Sequence, residues 1–302
     1  MTVSAERPIS NDMTKPDPRL HPYRTDLAAE QLRDMVAADR YVPGTSKTVA
    51  AGSVSLRRTP QDDAAQDTEL LFGETVTVYE DKDGWSWLQA AIDGYVGYAP
   101  TEALQDKLGA ATHHVAVLRS YLFSKPDLKI PPIALLSMNS AVHVIDQDGG
   151  YSAVEGGGWL YTRHLAAIDD FDTDHTKVAQ RFLGAPYYWG GKTSVGLDCS
   201  GLIQVALARC GQAVPRDSDM QENAIGVALP FDGDLSVLQS GDLVYWPGHA
   251  GIWIDSNRFI HANATDMMVS IAPLEHVAAY IKEATDDDIR SVRRLIPRNV
   301  VS

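Results

Sequence analysis

Residues 184–221, GAPYYWGGKTSVGLDCSGLIQVALARCGQAVPRDSDMQ, carry the strongest structural signal in the chain. Inside them, Cys199 follows a Gly196-Leu197-Asp198 turn and opens the apolar run Leu202, Ile203, Val205, Ala206, Leu207. That run predicts a helix from Cys199 through Ala208, with the thiol in its first turn. Unpaired N–H groups and the helix dipole at such a position favour a thiolate, the nucleophilic form of cysteine. The competing reading is a small buried hydrophobe that starts a core helix. Cys210, at the far end before Gly211, sits where the dipole disfavours a thiolate and is expected to be packing only.

A cysteine nucleophile needs a proton acceptor that later returns the proton, which points to histidine. Nine histidines are present. His21 lies near the N-terminus, His113, His114 and His143 in a β-rich stretch, His164 and His175 beside an acidic segment, and His276 in a late helix. His249, in GDLVYWPGHAGIWID, and His261, in RFIHANA, stand on two strand-like runs joined by an Asp255-Ser256-Asn257 turn. Adjacent strands would place the two rings side by side. One can pair with the thiolate, and the other can bond the first ring's Nδ1 and fix its tautomer.

Around this core the chain divides by pattern. Residues 1–22 read as a loosely ordered arm. Leu27, Leu32, Met35 and Val36 fall near one helical face, so a short helix is expected between Thr25 and Asp39. Residues 47–168 hold short β runs at Val54–Leu56, Thr75–Tyr79, Trp85–Ala90, Tyr95–Ala99, Val115–Leu118, Ala141–Ile145, Tyr151–Val154 and Gly158–Tyr161. They also hold a weak internal repeat: Glu74–Leu104 can be laid beside Ser140–Leu165, which suggests two small barrels. After the acidic segment Asp169–Asp174, helices come first and strands after, the order of an α+β domain.

Composition narrows the function classes. With 44% hydrophobic and 22% charged residues, the chain is an ordinary globular one. Its formal charge of −14 repels phosphate backbones, so nucleic acid is not an expected partner. No apolar run approaches the ~20 residues that span a bilayer, so no membrane partner is expected either. Two cysteines do not make a disulfide scaffold, and the N-terminal stretch lacks a basic-then-apolar export pattern. A cytoplasmic location is the expectation.

The motifs taken together resemble the NlpC/P60 family of papain-like cysteine peptidases. They are Pro186-Tyr187-Tyr188-Trp189-Gly190-Gly191, Asp198-Cys199-Ser200-Gly201-Leu202, Pro215-Arg216-Asp217-Ser218, Gly241–Trp246, His249–Trp253 and Ile260–Ala262. The run DGWSWLQAAIDGYVGYAPTEAL is similar to a bacterial SH3 (SH3b) domain, and the second copy is a more degenerate one. The resemblance implies a multidomain fold: two small all-β SH3b-like barrels followed by an α+β papain-like catalytic domain. The boundaries expected are 1–46 for the arm and short helix, 47–110 and 111–170 for the barrels, and 171–302 for the peptidase domain.

The resemblance also implies a catalytic set of Cys199, His249 and His261, with Tyr187 lining the oxyanion region beside the Cys199 N–H. Such enzymes cleave peptidoglycan stem peptides between D-γ-glutamate and a diamino acid. The branch that joins SH3b to NlpC/P60 domains takes free stem peptides with an unblocked N-terminal L-Ala, in wall recycling. There the implied substrate-binding residues are Asp217, Ser218 and Ser200 on the catalytic side, and Tyr95 and Glu74 on the first barrel. Read from the residues alone, Asp217 could instead cap a helix, Glu74 could be a solvated charge and Tyr95 could be barrel core. The expected partner is a murein stem peptide of the L-Ala-γ-D-Glu-diaminopimelate type, with no cofactor and no metal. The alternatives are an exported hydrolase of intact peptidoglycan and a non-catalytic wall-binding protein.

Overall fold

A computed structural model describes residues 15–296. The catalytic half is built on a six-stranded antiparallel sheet. Its order is Val227–Leu229, Ser291–Arg294, Leu243–Trp246, His249–Asp255, Arg258–Asn263, Met268–Ala272. Alternation along these strands sends residues to opposite faces. Ala250, Ile252, Ile260 and Ala262 meet the helix Cys199–Arg209 (α2) and the short helix His175–Gln180 (α1) in one core. Trp246, Trp253, Phe259 and Val292 face the other way, against Leu274 and Val277 of the last helix, Leu274–Thr285 (α4). A short helix, Ser218–Ala224 (α3), follows the Pro215–Ser218 motif. Asp174 caps α1, accepting from the Thr176 and Lys177 N–H groups.

Ahead of this lies a seven-stranded sheet. Its order is Gln66–Leu71, Ser53–Arg57, Val96–Pro100, Trp85–Ala90, Thr75–Lys82, Thr45–Val49, Leu104–Asp106. Leu56, Leu70, Val76, Leu88 and Ala99 form its core. A second β unit follows, a three-stranded and a five-stranded sheet around Val115, Leu122, Leu136, Val142, Val154 and Leu160. The internal repeat is visible element by element. Trp85–Ala90, Val96–Pro100, a 3-10 turn at Thr101–Ala103 and Leu104–Asp106 match Tyr151–Val154, Trp159–Tyr161, a turn at Thr162–His164 and Leu165–Ala167.

Three expectations need correction. The helix between Thr25 and Asp39 does not form. Leu27–Ala29 is a strand paired in parallel with Arg40–Val42, and only Glu30–Leu32 makes a 3-10 turn. Leu27 and Leu32 pack on Tyr79, Trp87 and Val96 of the seven-stranded sheet, while Met35 is exposed. Tertiary burial overrides a local helical period too short to stand alone. The expected arm is also not loose where it is described, since residues 1–14 lie outside the described residues but Arg19 and Leu20 are tied down. The Arg19 carbonyl accepts from the Val96 N–H, and the Leu20 carbonyl from Gln89. Finally, the strand expected at Val115–Leu118 breaks at a bend. Leu118 turns into the catalytic core, and strand structure resumes at Arg119–Phe123.

Both β units touch the catalytic half. Gln66, Thr68 and Glu69, all buried, face it along one edge strand. Behind α2, Met138 enters the catalytic core and Asn139 donates to the Val205 carbonyl at 3.0 Å.

Candidate active site

Asp198 organises the turn before α2. Its Oδ1 accepts from the Gly201 N–H at 2.7 Å, which caps the helix, and its Oδ2 accepts from the Gly190 N–H at 2.8 Å. One carboxylate therefore ties the PYYWGG loop to the DCSGL helix start. Two glycines fit because the backbones come this close. Gly190 has φ +74°, and a Cβ on Gly201 would collide with the Gly191 carbonyl. The second anchor of Asp198 is Arg216, 1% exposed, whose Nη2 lies 2.7 Å from Oδ2 and Nη1 3.0 Å from Oδ1. The same guanidinium donates to Ser200 Oγ, to the Gly191 carbonyl and, through Nε, to Thr68 Oγ1 of the seven-stranded sheet.

Cys199 is the first residue of α2, as the periodicity requires, and is 7% exposed. Burial pushes its thiol up to about 12, and the Asp198 charge adds to this. Hydrogen bonds from the backbone of Ala250 and Ser200, with the Arg216 charge, act the other way. Burial therefore works against the thiolate that the helix start favours. Ionising Cys199 requires a nearby positive charge to form at the same moment.

That charge can form on the histidine pair. His249 and His261 stand on adjacent antiparallel strands with ring centroids 5.1 Å apart. His249 Nε2 lies 2.9 Å from His261 Nδ1. The sequence left open which ring would offer Nδ1 to the other. The contact uses Nδ1 of His261 and Nε2 of His249, so His249 Nδ1 is not the atom engaged by it. Burial depresses both rings, His249 to about 3, helped by repulsion from His261, and His261 to about 4, partly offset by the Asp266 charge. Beyond His261 the chain continues to Asn263. Its amide is held by the Asp266 N–H donating to Oδ1 at 2.7 Å, while Nδ2 lies 3.3 Å from His261 Nε2 and 2.9 Å from Ser270 Oγ.

Tyr187 packs against the α2 core. Its phenol is raised well above the ordinary value by burial first and then by the neighbouring Cys199 and Asp198 charges. It is a hydroxyl donor beside the thiol. Asp217 precedes α3 but makes no capping bond. Its Oδ2 instead accepts from Tyr95 Oη at 3.1 Å and from Arg19 Nη1 at 2.9 Å. Burial raises the Asp217 carboxyl, with Arg216 and Arg19 opposing. Tyr95 is both core and contact: 3% exposed within the first sheet, it reaches Asp217 with its hydroxyl. Ser218, half-buried, opens α3.

Two substrate-binding expectations are corrected. Glu74 is not open to a ligand amine, because it is buried and paired with buried Lys192 at 2.8 Å. Neither is it the solvated charge that the residues alone allowed. Ser200 is likewise buried, its hydroxyl donating to Asp198 and accepting from Arg216. Sequence reasoning missed Arg216, Asn263 and Arg19. A lone Arg between Pro215 and Asp217 was the available signal for the first. The Asn two residues after His261, on the same strand face, was the signal for the second. Arg19 had none, since its partner is 198 positions away.

Residues 184–289 match the model of the NlpC/P60 family, and residues 56–104 that of the bacterial dipeptidyl-peptidase SH3 domain. Dipeptidyl-peptidase 6 of Lysinibacillus sphaericus is 24% identical over 68% of this chain and 83% of its own. The gamma-D-glutamyl-L-lysine dipeptidyl-peptidase of Bacillus cereus is 28% identical over 72% of this chain and 73% of its own. Among solved structures, an NlpC/P60 family protein from Bacillus cereus superposes with a TM-score of 0.71 at 22% identity, over 84% of this chain and all of that one.

Proposed function

Starting from a chain that is an NlpC/P60 cysteine peptidase with an SH3b domain before its catalytic domain, we propose that it hydrolyses stem peptides of peptidoglycan. The bond cut is the one between D-γ-glutamate and the diamino acid, in peptides with a free N-terminal L-Ala. Asp217 carries this reading. It is a half-buried carboxylate where the first sheet meets the catalytic half, bonded by Tyr95 and Arg19 within a cluster that holds more acids than this one arginine neutralises, and not used as a helix cap. An ammonium is the natural ligand of such a group, because burying either charge alone is costly. Two residues from that amine is the D-Glu side-chain carbonyl, the reacting centre.

The catalytic steps we propose are these. Cys199 Sγ attacks the γ-carbonyl carbon as its proton passes to His249 Nδ1. His261, at 2.9 Å from Nε2, steadies the imidazolium. The carbonyl oxygen, now an oxyanion, takes hydrogen bonds from the Cys199 N–H and the Tyr187 hydroxyl. When the tetrahedral species collapses, the C–N bond breaks and His249 returns the proton to the departing diamino-acid amine. Water, deprotonated by His249, then attacks the thioester. This releases L-Ala-γ-D-Glu and restores the thiol. The groups assigned here are Cys199, His249, His261, Tyr187, Asp217 and Tyr95, with Ser218 beside Asp217.

Diaminopimelate is the diamino acid we favour, and the gamma-D-glutamyl-L-lysine relatives make lysine the comparison to run. We read residues 113–167 as a second, degenerate SH3b barrel that braces α2 from behind. The domain limits proposed are those drawn from the sequence, with the described part of the first segment, residues 15–46, reassigned from a helix to a strap of short strands. Recycling of imported wall peptides in the cytoplasm is the proposed setting, which suits an acidic chain that need not approach an anionic wall.

The test is mass spectrometry of the products of L-Ala-γ-D-Glu-meso-diaminopimelate, with its amine free or acetylated. Cleavage of the free peptide alone, lost in Cys199→Ala, is expected. Full turnover by Cys199→Ala, or equal rates on both peptides, would overturn the reading. Release of dye from labelled sacculi would favour a hydrolase of intact wall instead.

A further inference from the structure

Arg19, from the segment before the first sheet, sits among three carboxylates. Nη1 lies 2.9 Å from Asp217 Oδ2 and 3.1 Å from Asp219 Oδ1. Nη2 lies 2.8 Å from Asp17 Oδ2 and 2.9 Å from Asp219 Oδ2. Nε completes the fork on Asp17. Its backbone is fixed too, since its N–H donates to Asp17 and its carbonyl accepts from Val96, the residue after Tyr95. Arg19 is therefore tied to the start of the strand Val96–Pro100, next to the tyrosine that also holds Asp217.

We propose that Arg19 is a positioning residue for substrate recognition. It clamps Asp217 by one oxygen so that the other is presented to the peptide's N-terminal ammonium. The proposal rests on the reading that Asp217 takes that amine. Among the described residues, Arg19 and Tyr95 are the donors to the Asp217 carboxylate, and both use Oδ2. Two donors on one oxygen set the plane of the carboxylate, and Oδ1 remains. One guanidinium against Asp17, Asp217 and Asp219 leaves two negative charges in excess, so the cluster still attracts a cation. All three guanidinium nitrogens are engaged by these carboxylates and the Arg19 backbone is tied to Val96, an arrangement that suits a clamp better than a displaceable plug.

The groups facing Asp217 are Arg19 from the strap, Arg216 from the lead into α3, Asp219 from the first turn of α3, Tyr95 from the first sheet, and Arg58, close enough to interact with it electrostatically. Asp219 and burial favour the protonated form of Asp217, and the arginines oppose them. Removing Arg19 leaves less positive charge, that of Arg216 and Arg58, to set against Asp219 and burial, so Asp217 takes up its proton at higher pH, and a protonated carboxyl holds an ammonium poorly.

The experiment measures kcat and KM of wild type, Arg19→Gln, Arg19→Lys and Asp217→Asn on free and N-acetylated L-Ala-γ-D-Glu-meso-diaminopimelate across pH. Arg19→Gln is expected to raise KM for the free peptide about tenfold, the loss of roughly one charge-assisted bond, with kcat within twofold. The acid limb of its kcat/KM profile should move to higher pH, and Arg19→Lys should restore the acid limb but only part of the rise in KM. A free-peptide KM within twofold of wild type with an unmoved acid limb would overturn the proposal. So would a lowered KM, the mark of a plug, or an equal fall of kcat on both peptides, the mark of simple misfolding. If Arg19→Gln does not fold, Arg19→Lys alone decides: its monodentate charge should hold the acid limb while raising KM, and no change in KM refutes the clamp. Wild type that ignores acetylation refutes the amine reading itself. Wild type that discriminates, with Asp217→Asn defective and Arg19→Gln normal, refutes only the role of Arg19.

Discussion

Arg216→Met tests the central claim about how the active-site turn is built. The wild-type guanidinium is 1% exposed and donates to both oxygens of Asp198, to Ser200 Oγ, to the Gly191 carbonyl and to Thr68 Oγ1. Methionine fills much of the volume and supplies none of these donors. Asp198 would keep only the Gly190 and Gly201 N–H groups and Ser200, and its charge would lie buried without a counter-ion. Removing one member of a buried ion pair costs about 3–5 kcal/mol, because the partner's desolvation is no longer offset. Urea unfolding followed by tryptophan fluorescence reads this as a lower midpoint at an unchanged slope. The double variant Asp198→Asn, Arg216→Met removes the stranded charge while leaving an oxygen to accept from Gly201. It should therefore be more stable than Arg216→Met alone, by at least about 1 kcal/mol. A single variant within about 1 kcal/mol of wild type, or a double variant no better than the single, refutes the view that this pair governs the turn.

Three further outcomes are expected. His261→Gln should flatten the acid side of the stability profile. The wild-type ring, depressed from 6.5 to about 4, contributes stability that is full above pH 6.5 and lost as pH falls towards 4. At pH 4.5 that loss is about 2–3 kcal/mol relative to neutral pH, and a variant with the wild-type slope would refute it. Glu74→Gln should leave KM for the free-amine peptide within twofold while lowering the melting temperature, since it strands buried Lys192. A large rise in KM with unchanged stability would return Glu74 to the substrate. Gly201→Ala should cut kcat/KM by an order of magnitude or more, because the added methyl meets the Gly191 carbonyl and must push the PYYWGG loop from the thiol. Wild-type kcat/KM would show that the loop has slack.

What could be read in the sequence was set by local rules. The start of α2 at Cys199 follows from the apolar period and the Asp198 cap. The pairing of His249 with His261 follows from a short turn between two apolar strands. What could not be read depends on partners far along the chain. Glu74 looks like any acidic residue before a strand until Lys192, 118 positions later, is placed beside it. The stretch Gln66-Asp67-Thr68-Glu69 lacks the alternation of a half-buried strand because its polar residues are buried against another part of the molecule. The helical period at Leu27–Val36 lost to burial on the first sheet, a competition no window of a dozen residues contains.

The Gln66–Leu71 strand has a bearing on engineering. All six of its residues are buried, although it lies at the border of its sheet. Gln66 donates to the Trp189 carbonyl, Thr68 accepts from Arg216 and Glu69 accepts from the Lys192 N–H. Excised alone, the seven-stranded unit would expose a long unprotected border, which invites strand-to-strand aggregation. Grafted onto a different peptidase, it would bring polar side chains to a surface that lacks their counterparts. The small β unit of this chain is thus not an interchangeable attachment. Exchange between relatives would have to carry Thr68 with Arg216 and Glu74 with Lys192, as one set.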